Sequence, residues 1–281
     1  MSLYDLRDPG DLVAPLLVAS FAGWVDAGAA ATTATARLAE GAEAIATFDT
    51  DSLYDYRARR PTLEIADGRP DRLTWPELSL RRARFGERDL LVLAGPEPDY
   101  RWHALEQAIL ELAQRLDVAA WISLGAIPAA VPHTRPVNIL GTESRPGLLL
   151  GGVAPGPEGV LRVPAAALSV LDHAISRAGV PCVGYFAQVP HYVTGGYPPA
   201  SVELLRLVGR HLDTEIAMGE LRDEARRMLA RLDVATAADA NTRTYVERLE
   251  AMVDEARLPE GGDLITEIER FLRDQDGGDR S

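Results

Sequence analysis

No lysine occurs anywhere in this 281-residue chain; all 29 basic residues are arginine. That absence excludes Schiff-base chemistry, a P-loop lysine and the lysine that protein kinases require. A GC-rich genome accounts for it without appeal to function. A single cysteine, Cys182, excludes an internal disulfide and a Cys-x-x-Cys metal site, and fits a reducing compartment. It opens an apolar run and reads as buried and inert. No Gly-x-Ser-x-Gly elbow is present, and Ser20, Ser123 and Ser169 fall in or near strand or helix interiors, which argues against a serine hydrolase. No His-Glu-x-x-His or other metal spacing appears, so neither a metal nor a cofactor is expected. There is no signal peptide and no apolar run long enough to cross a bilayer, so a cytoplasmic protein is expected. Positive charge is also short. A net charge of -13 argues against nucleic acid and anionic membranes as partners.

What is present is organised around Val118–Pro136. It begins as an uncharged run, Val118-Ala-Ala-Trp-Ile-Ser-Leu124, that fits a strand buried on both faces. It is expected to leave the sheet through Gly125-Ala-Ile-Pro128 and to reach Val131-Pro132-His133-Thr134-Arg135-Pro136, a polar loop stiffened by two prolines. Loops beyond the carboxyl ends of such strands carry the site in open α/β sheets.

Further buried strands are read at Leu16–Phe21, Ala42–Phe48, Asp89–Gly95 and Val180–Val189. Helical stripes separate them: an Ala/Thr-rich helix to about Glu40, Trp102 to Leu116, and a helix with Pro164 at its first position and Gly179 past its end. Short runs at Thr62–Ile65, Arg72–Trp75 and Leu78–Phe85 read as antiparallel strands at the sheet edge, and Val137–Leu140 and Gly147–Leu150 as short strands. This alternation predicts a mostly parallel three-layer αβα sandwich over residues 1–200. After Pro199 the pattern is helical only, giving an extension over 201–275 and a disordered tail at 276–281. Its stripes run through Met218, Leu221, Ala225, Met228 and Leu232, then Tyr245, Leu249, Met252 and Ala256, then Leu264, Ile268 and Phe271 after a cap at Asp263. They fit either a hairpin folded onto its own domain or an oligomer contact.

Val-Pro-His occurs twice, at 131–133 and 189–191, each time after a buried strand. If both strands are central and parallel, a candidate pocket forms on one rim from Asp26, Arg57, Arg101, His133, Arg135, His191 and Tyr192. Three arginines against one aspartate would suit phosphate or a carboxylate. The bland alternative is that these groups satisfy backbone and one another. Gly23-Trp-Val-Asp-Ala-Gly28 is not a dinucleotide turn, because Asp26 falls where an N-cap would and occupies the seat an anion needs.

Several motifs together resemble the prokaryotic, actinobacterial-type branch of the proteasome assembly chaperone family. They are Gly23-Trp24-x-Asp26-Ala27-Gly28, Tyr54-Asp55-x-Arg57 with Arg60-Pro61, Gly95-Pro96-Glu97-Pro98-Asp99-x-Arg101-Trp102 and Gly125-x-Ile127-Pro128. Val131 to Pro136, Val189-Pro190-His191-Tyr192 and Tyr197-Pro198-x-Ala200 complete the set. The resemblance implies a phosphorylase/hydrolase-like fold, a non-catalytic role through a protein client, and self-association, with a homotrimer as the expected state. Eukaryotic members dock on the proteasome with a C-terminal hydrophobic–Tyr–any motif, whereas this chain ends Gly278-Asp279-Arg280-Ser281, so proteasome subunits are not the expected client. The competing expectation is an enzyme whose phosphorylase/hydrolase-like pocket takes a small anionic or nucleoside-like substrate.

Overall fold

The computed structural model describes residues 2–157 and 159–256. In chain order the elements are β1 (Tyr4–Leu6), β2 (Leu16–Ala22), α1 (Ala30–Leu38), β3 (Glu43–Phe48), α2 (Thr50–Leu53), β4 (Thr62–Ala66), β5 (Arg69–Thr74), β6 (Ser79–Phe85) and β7 (Arg88–Pro96). There follow α3 (Trp102–Arg115), β8 (Ala120–Ala129), β9 (Ile139–Glu143), α4 (Ala167–Arg177), β10 (Cys182–Pro190), α5 (Pro198–Leu212), α6 (Leu221–Ala238) and α7 (Ala240–Ala256). The main sheet has eight strands in the order β1-β3-β6-β7-β2-β8-β10-β9. Its centre, β7-β2-β8-β10, is parallel, and the outer pairs are antiparallel.

The central strands lack polar alternation because both their faces are covered. Side chains two apart share a face. Leu17, Ala19 and Phe21 therefore meet Leu105, Ile109 and Leu112 of α3 and Leu168, Leu171 and Ile175 of α4. Leu16 and Val18 instead meet Ala30, Ala34 and Leu38 of α1 and Leu204, Leu205 and Val208 of α5. The expected three-layer sandwich is thus the observed fold. α5, which straddles residue 200, lies in the second helical layer, with Pro198 opening it. Among the described residues no strand follows β10. No described helix is long and apolar enough to cross a membrane.

Several local expectations are corrected. β8 does not leave the sheet at Gly125 but pairs with β10 through Ala129. β2 accompanies β8 only over Ala120–Ser123, so Pro128 falls where the strand has one neighbouring strand and a missing donor is tolerated. β4 and β5 are not edge strands of the main sheet. They form a separate hairpin, closed by Asp67-Gly68 with φ of 50° and 77°, and every one of their residues is exposed. β6, expected beside them, lies inside the main sheet between β3 and β7. Gly147–Leu150 is not a strand but irregular chain, held where Glu143 Oε2 accepts the Leu148 and Leu149 N–H groups at 2.8 and 3.0 Å. The helix expected from Pro164 starts at Ala167.

Beyond α5 the apolar face of α6 is buried at Leu221 and Ala225 and partly buried at Met228 and Leu232. Asp239 separates the two helices by accepting the Thr242 N–H at 3.0 Å and its hydroxyl at 2.5 Å. On α7 the buried positions are Val246 and Leu249, while Tyr245 and Met252 are exposed, so the expected stripe is rotated. The expectations for Asp263, Leu264, Ile268, Phe271 and the tail lie outside the described residues.

Gly95 on β7 has no room for a side chain: a Cβ there would sit 2.4 Å from the Glu77 carbonyl oxygen and 3.0 Å from Leu78 Cα. Backbone cannot swing aside as a side chain can, so Gly95→Ala is expected to destabilise the protein by about 1–3 kcal/mol. Urea unfolding checks this; an unchanged midpoint would show that the β6 approach is looser than this packing implies.

Candidate functional site

The carboxyl ends of β2, β7, β8 and β10 share one edge of the sheet, and β3, antiparallel to β6, runs the same way. All seven residues singled out in the sequence lie in loops on that edge, but they do not form one cluster.

Asp26 follows β2. Its Oδ1 accepts the Ala31 and Thr32 N–H groups at 2.8 and 3.2 Å, and Oδ2 accepts the Thr32 hydroxyl at 2.5 Å. Asp26 thus caps the first turn of α1 and fills the anion seat there, but from three residues ahead of the N-cap position expected for it, which Ala29 takes. Burial raises the Asp26 pKa, and the bonds from Thr32 and Ala31 pull it back. Glu97, part of the Gly95–Trp102 motif but not one of the seven pocket residues, holds the same loop. Its Oε2 accepts the Trp24 N–H at 2.9 Å and its Oε1 accepts the Ala167 N–H at 2.8 Å. One buried carboxylate thus ties the β2 loop and the end of β7 to the start of α4.

Arg57 and Arg101 stand apart from the histidines. Their loops are joined by Tyr54 Oη donating to the Pro96 carbonyl at 2.8 Å and the Asp55 N–H donating to Asp99 Oδ2 at 3.0 Å. The arginine that pairs with Asp99 is Arg59, at 3.2 Å, not Arg57. Arg57 and Arg101 are exposed and make no ion pair among the described residues.

His133, Arg135, His191 and Tyr192 are brought together. The His133 N–H donates to Tyr192 Oη at 2.8 Å, and His133 Nδ1 lies 2.7 Å from the same oxygen. The tautomer with the ring proton on Nε2 lets Tyr192 donate to Nδ1 and turns that proton toward Asp233. Nε2 lies 3.3 Å from Asp233 Oδ1 on α6, within ion-pair distance but out of line for a hydrogen bond. His191 Nδ1 meets the Ala129 carbonyl at 2.9 Å and its Nε2 meets Tyr245 Oη on α7 at 2.9 Å. Arg135 makes a two-pronged bond to Asp254 at 2.9 and 2.6 Å and lies 3.3 Å from Glu250; Thr134 donates to that same Glu250. The rings of His133, His191, Tyr192 and Tyr245 meet edge to face.

The space left beside this cluster, lined by Pro132, Arg135, Pro190, Tyr197 and Val253, is about 10 Å³, room for one water at most. Of the covering residues, Asp233, Glu250 and Asp254 were missed in the sequence, and Tyr245 stood only in a helical stripe with no site role. The four-residue spacing of Glu250 and Asp254 places both acids on one face of a helix, but nothing local says what that face meets.

A second missed group lies at the opposite end of the sheet, where β8 and β10 begin. Asp172 on α4 accepts the Trp121 Nε1–H at 2.7 Å and the Ser123 hydroxyl at 2.9 Å. It borders a cavity of about 300 Å³ with Ser144, Ser169, His173, Cys182 and Phe186. Burial pushes the Asp172 carboxyl up to about 7 against the two donors, which favour ionisation. Cys182 is buried, its thiol shifted upward by burial and then by Asp172, as expected of an inert cysteine. Among the described residues no group of three His, Cys, Asp or Glu side chains could hold a metal.

The PAC2 family matches this chain over residues 20–235. The chain belongs to the PAC2 family. Solved PAC2-type structures agree in fold: a PAC2 family protein from Streptomyces avermitilis is 35% identical, covering 83% of this chain and 99% of its own, with a TM-score of 0.73. A proteasome-assembly chaperone homologue from Mycobacterium tuberculosis is 33% identical, covering 82% and 99%, with a TM-score of 0.75. A protein of unknown function from Corynebacterium glutamicum is 28% identical, covering 90% and 97%, with a TM-score of 0.84. No curated protein matches. The resemblance carried by the sequence motifs is therefore a family membership. The PAC2 match runs past the sandwich into α6 and takes in Asp233, which faces His133.

The Asp172 carboxyl has a folded pKa of about 7 against 3.8 when unperturbed. Between those values the folded state binds more protons than the unfolded one. This group therefore costs stability as pH rises through the window, by about 1.4 kcal/mol for each pH unit crossed. Asp172→Asn keeps an acceptor for Trp121 and cannot ionise. Its stability relative to the wild type is expected to improve steadily from pH 4 to pH 7 and then level off. Parallel denaturation curves for the two proteins across that range measure it; a pH-independent difference would show that Asp172 titrates normally.

Proposed function

We propose that this PAC2 chain is a non-catalytic, protein-binding factor of assembly-chaperone type that works as a homo-oligomer. The observation that carries the reading is the filled carboxyl edge. His133, Arg135, His191 and Tyr192 are bonded to one another and to α6 and α7 instead of facing a cavity that a substrate could enter. Catalysis needs a base within reach of a reacting atom and donors aimed at developing charge; here both kinds of group are consumed by structure. The M. tuberculosis neighbour named as a proteasome-assembly chaperone homologue supports the same reading.

Exposed aromatic and aliphatic groups supply surface for partners. Trp24 and Tyr100, on carboxyl-edge loops, are 69% and 51% exposed, and aromatic residues are the commonest energetic anchors of protein interfaces. The β4–β5 hairpin exposes Leu63, Ile65 and Leu73, and Trp75 just beyond it is exposed as well. A two-stranded hairpin is marginal in water unless something packs against it, which favours burial against another copy.

Light scattering at micromolar concentration is expected to give an oligomer, with three times the 30.4 kDa chain mass as the leading value. A tagged chain is expected to retain a stable protein partner through gel filtration and to turn over nothing in a hydrolase and phosphorylase screen. A monomer mass would remove the oligomer. Turnover of a nucleoside or phosphate ester that is lost in His133→Ala would replace the chaperone reading with the enzyme one.

A further inference from the structure

The sheet edge turns three donors outward: the Thr134 hydroxyl, the Arg135 guanidinium and His133 Nε2–H. Beside them stands one acceptor, His191 Nε2, whose ring proton on Nδ1 is given to the Ala129 carbonyl. Among the described residues their partners come from α6 and α7. These are three carboxylates for the donors, Asp233, Glu250 and Asp254, and the Tyr245 phenol for His191. In a chain of net charge -13 this edge is a small cationic, donor-rich spot, and it is matched to an acidic helical face.

The helix that occupies it is lightly held. Between residues 240 and 255 only Val246 and Leu249 are buried. Beyond them α7 offers the edge the half-buried Val253 and the ring of Tyr245, and its other contacts there are polar; Glu250 and Asp254 stand on a solvent-facing helix, where ion pairs add little stability. An element with few buried apolar contacts belongs to the part of a protein that opens at low cost. His133 adds a sign of an imperfect fit, since its Nε2 is buried yet finds no aligned acceptor.

We propose that the loop edge formed by residues 131–135 and 191–192 is a docking site for an acidic helical segment of a protein partner, one carrying two carboxylates a helical turn apart and a tyrosine shortly before them. In the free protein, α7 fills the site in cis. This rests on the protein-binding reading above and names the surface that such binding uses. A partner segment of the same chemistry takes the place of α7 on Arg135, and α7 swings aside.

The test uses the full chain and a fluorescent peptide covering residues 240–256. Glu250→Gln with Asp254→Asn removes the charges that hold α7 down. The peptide is expected to bind this double variant at least ten-fold more tightly than the wild type, with affinity falling as salt rises. Adding Arg135→Ala to the double variant is expected to remove at least ten-fold of that affinity. Equal binding to wild type and double variant, or binding that survives Arg135→Ala, would overturn the proposal. So would competition by free glutamate at the peptide's own concentration, which would mark a small-carboxylate site. If the double variant does not fold, amide exchange on the unaltered chain decides. The amides of α7 are expected to exchange faster than those of Leu105–Leu112 in α3; equal protection would mean that α7 never leaves the edge. No client and no turnover assay enters these measurements, so their failure leaves the assembly reading standing, and a client whose binding leaves the 131–135 amides unprotected sinks only the docking site.

Discussion

A parallel strand covered on both faces has no polar side of its own, and four such strands lie together at the centre of this sheet. Parallel neighbours need long crossovers, so the chain passes through a helix or an excursion each time and returns its loops to the same edge. The polar residues excluded from the strands collect there. The alternation of Leu16 and Val18 with Leu17 and Ala19 then sends successive side chains into opposite helical layers. Where a polar atom does enter the core, a partner is supplied at short range: Ser123 and the Trp121 indole both reach Asp172 on α4.

Carboxylates act as joints. A carboxylate offers several acceptor positions, so one side chain can fix segments distant in sequence. Glu97 takes N–H groups from Trp24 and Ala167, Asp99 takes the Asp55 N–H and Arg59, and Asp26 takes the first turn of α1. Each joint uses up the orphan donors or cations that an anionic ligand would otherwise find. Taken singly, Gly23–Gly28 and Arg59 look like phosphate-binding features; taken with their partners, they are fasteners.

Most of the sandwich was legible because burial on both faces leaves a plain mark, an uncharged run bounded by Gly or Pro. Residues 16–21 and 90–95 carry it, and both lie in strands. Misreadings came where two structures share one pattern. The alternation in Thr62–Ile65 suits a sheet edge and a free hairpin equally, and only tertiary structure separates them. Gly125 and Pro128 read as an exit from the sheet because a strand normally cannot hold proline, but β8 is unaccompanied by β2 at that point. For the site, the strand pattern placed the loops on one edge and pointed to His133, Arg135, His191 and Tyr192, since the repeated Val-Pro-His follows two adjacent parallel strands. It could not separate Arg57 from Arg59, two residues apart in one loop, nor find Asp233, Glu250 and Asp254, which lie about a hundred residues away on helices whose acids look like an ordinary solvated face.

The way that edge is covered is itself informative. A scaffold that needed only stability would close the sheet with apolar surface, as α1, α3, α4 and α5 do. α7 contributes two buried apolar side chains, the half-buried Val253 and the Tyr245 ring, and its remaining contacts are charges and hydroxyls. Ion pairs on a solvent-facing helix add little to stability, because water screens them and two long side chains must be held in one geometry. What they add is orientation: the planar Arg135 fork accepts one register of the Asp254 carboxylate, and the His191–Tyr245 bond sets the rotation of the helix against it. An interface selected for register more than for strength is suited to being made and broken, which a permanently closed core layer is not.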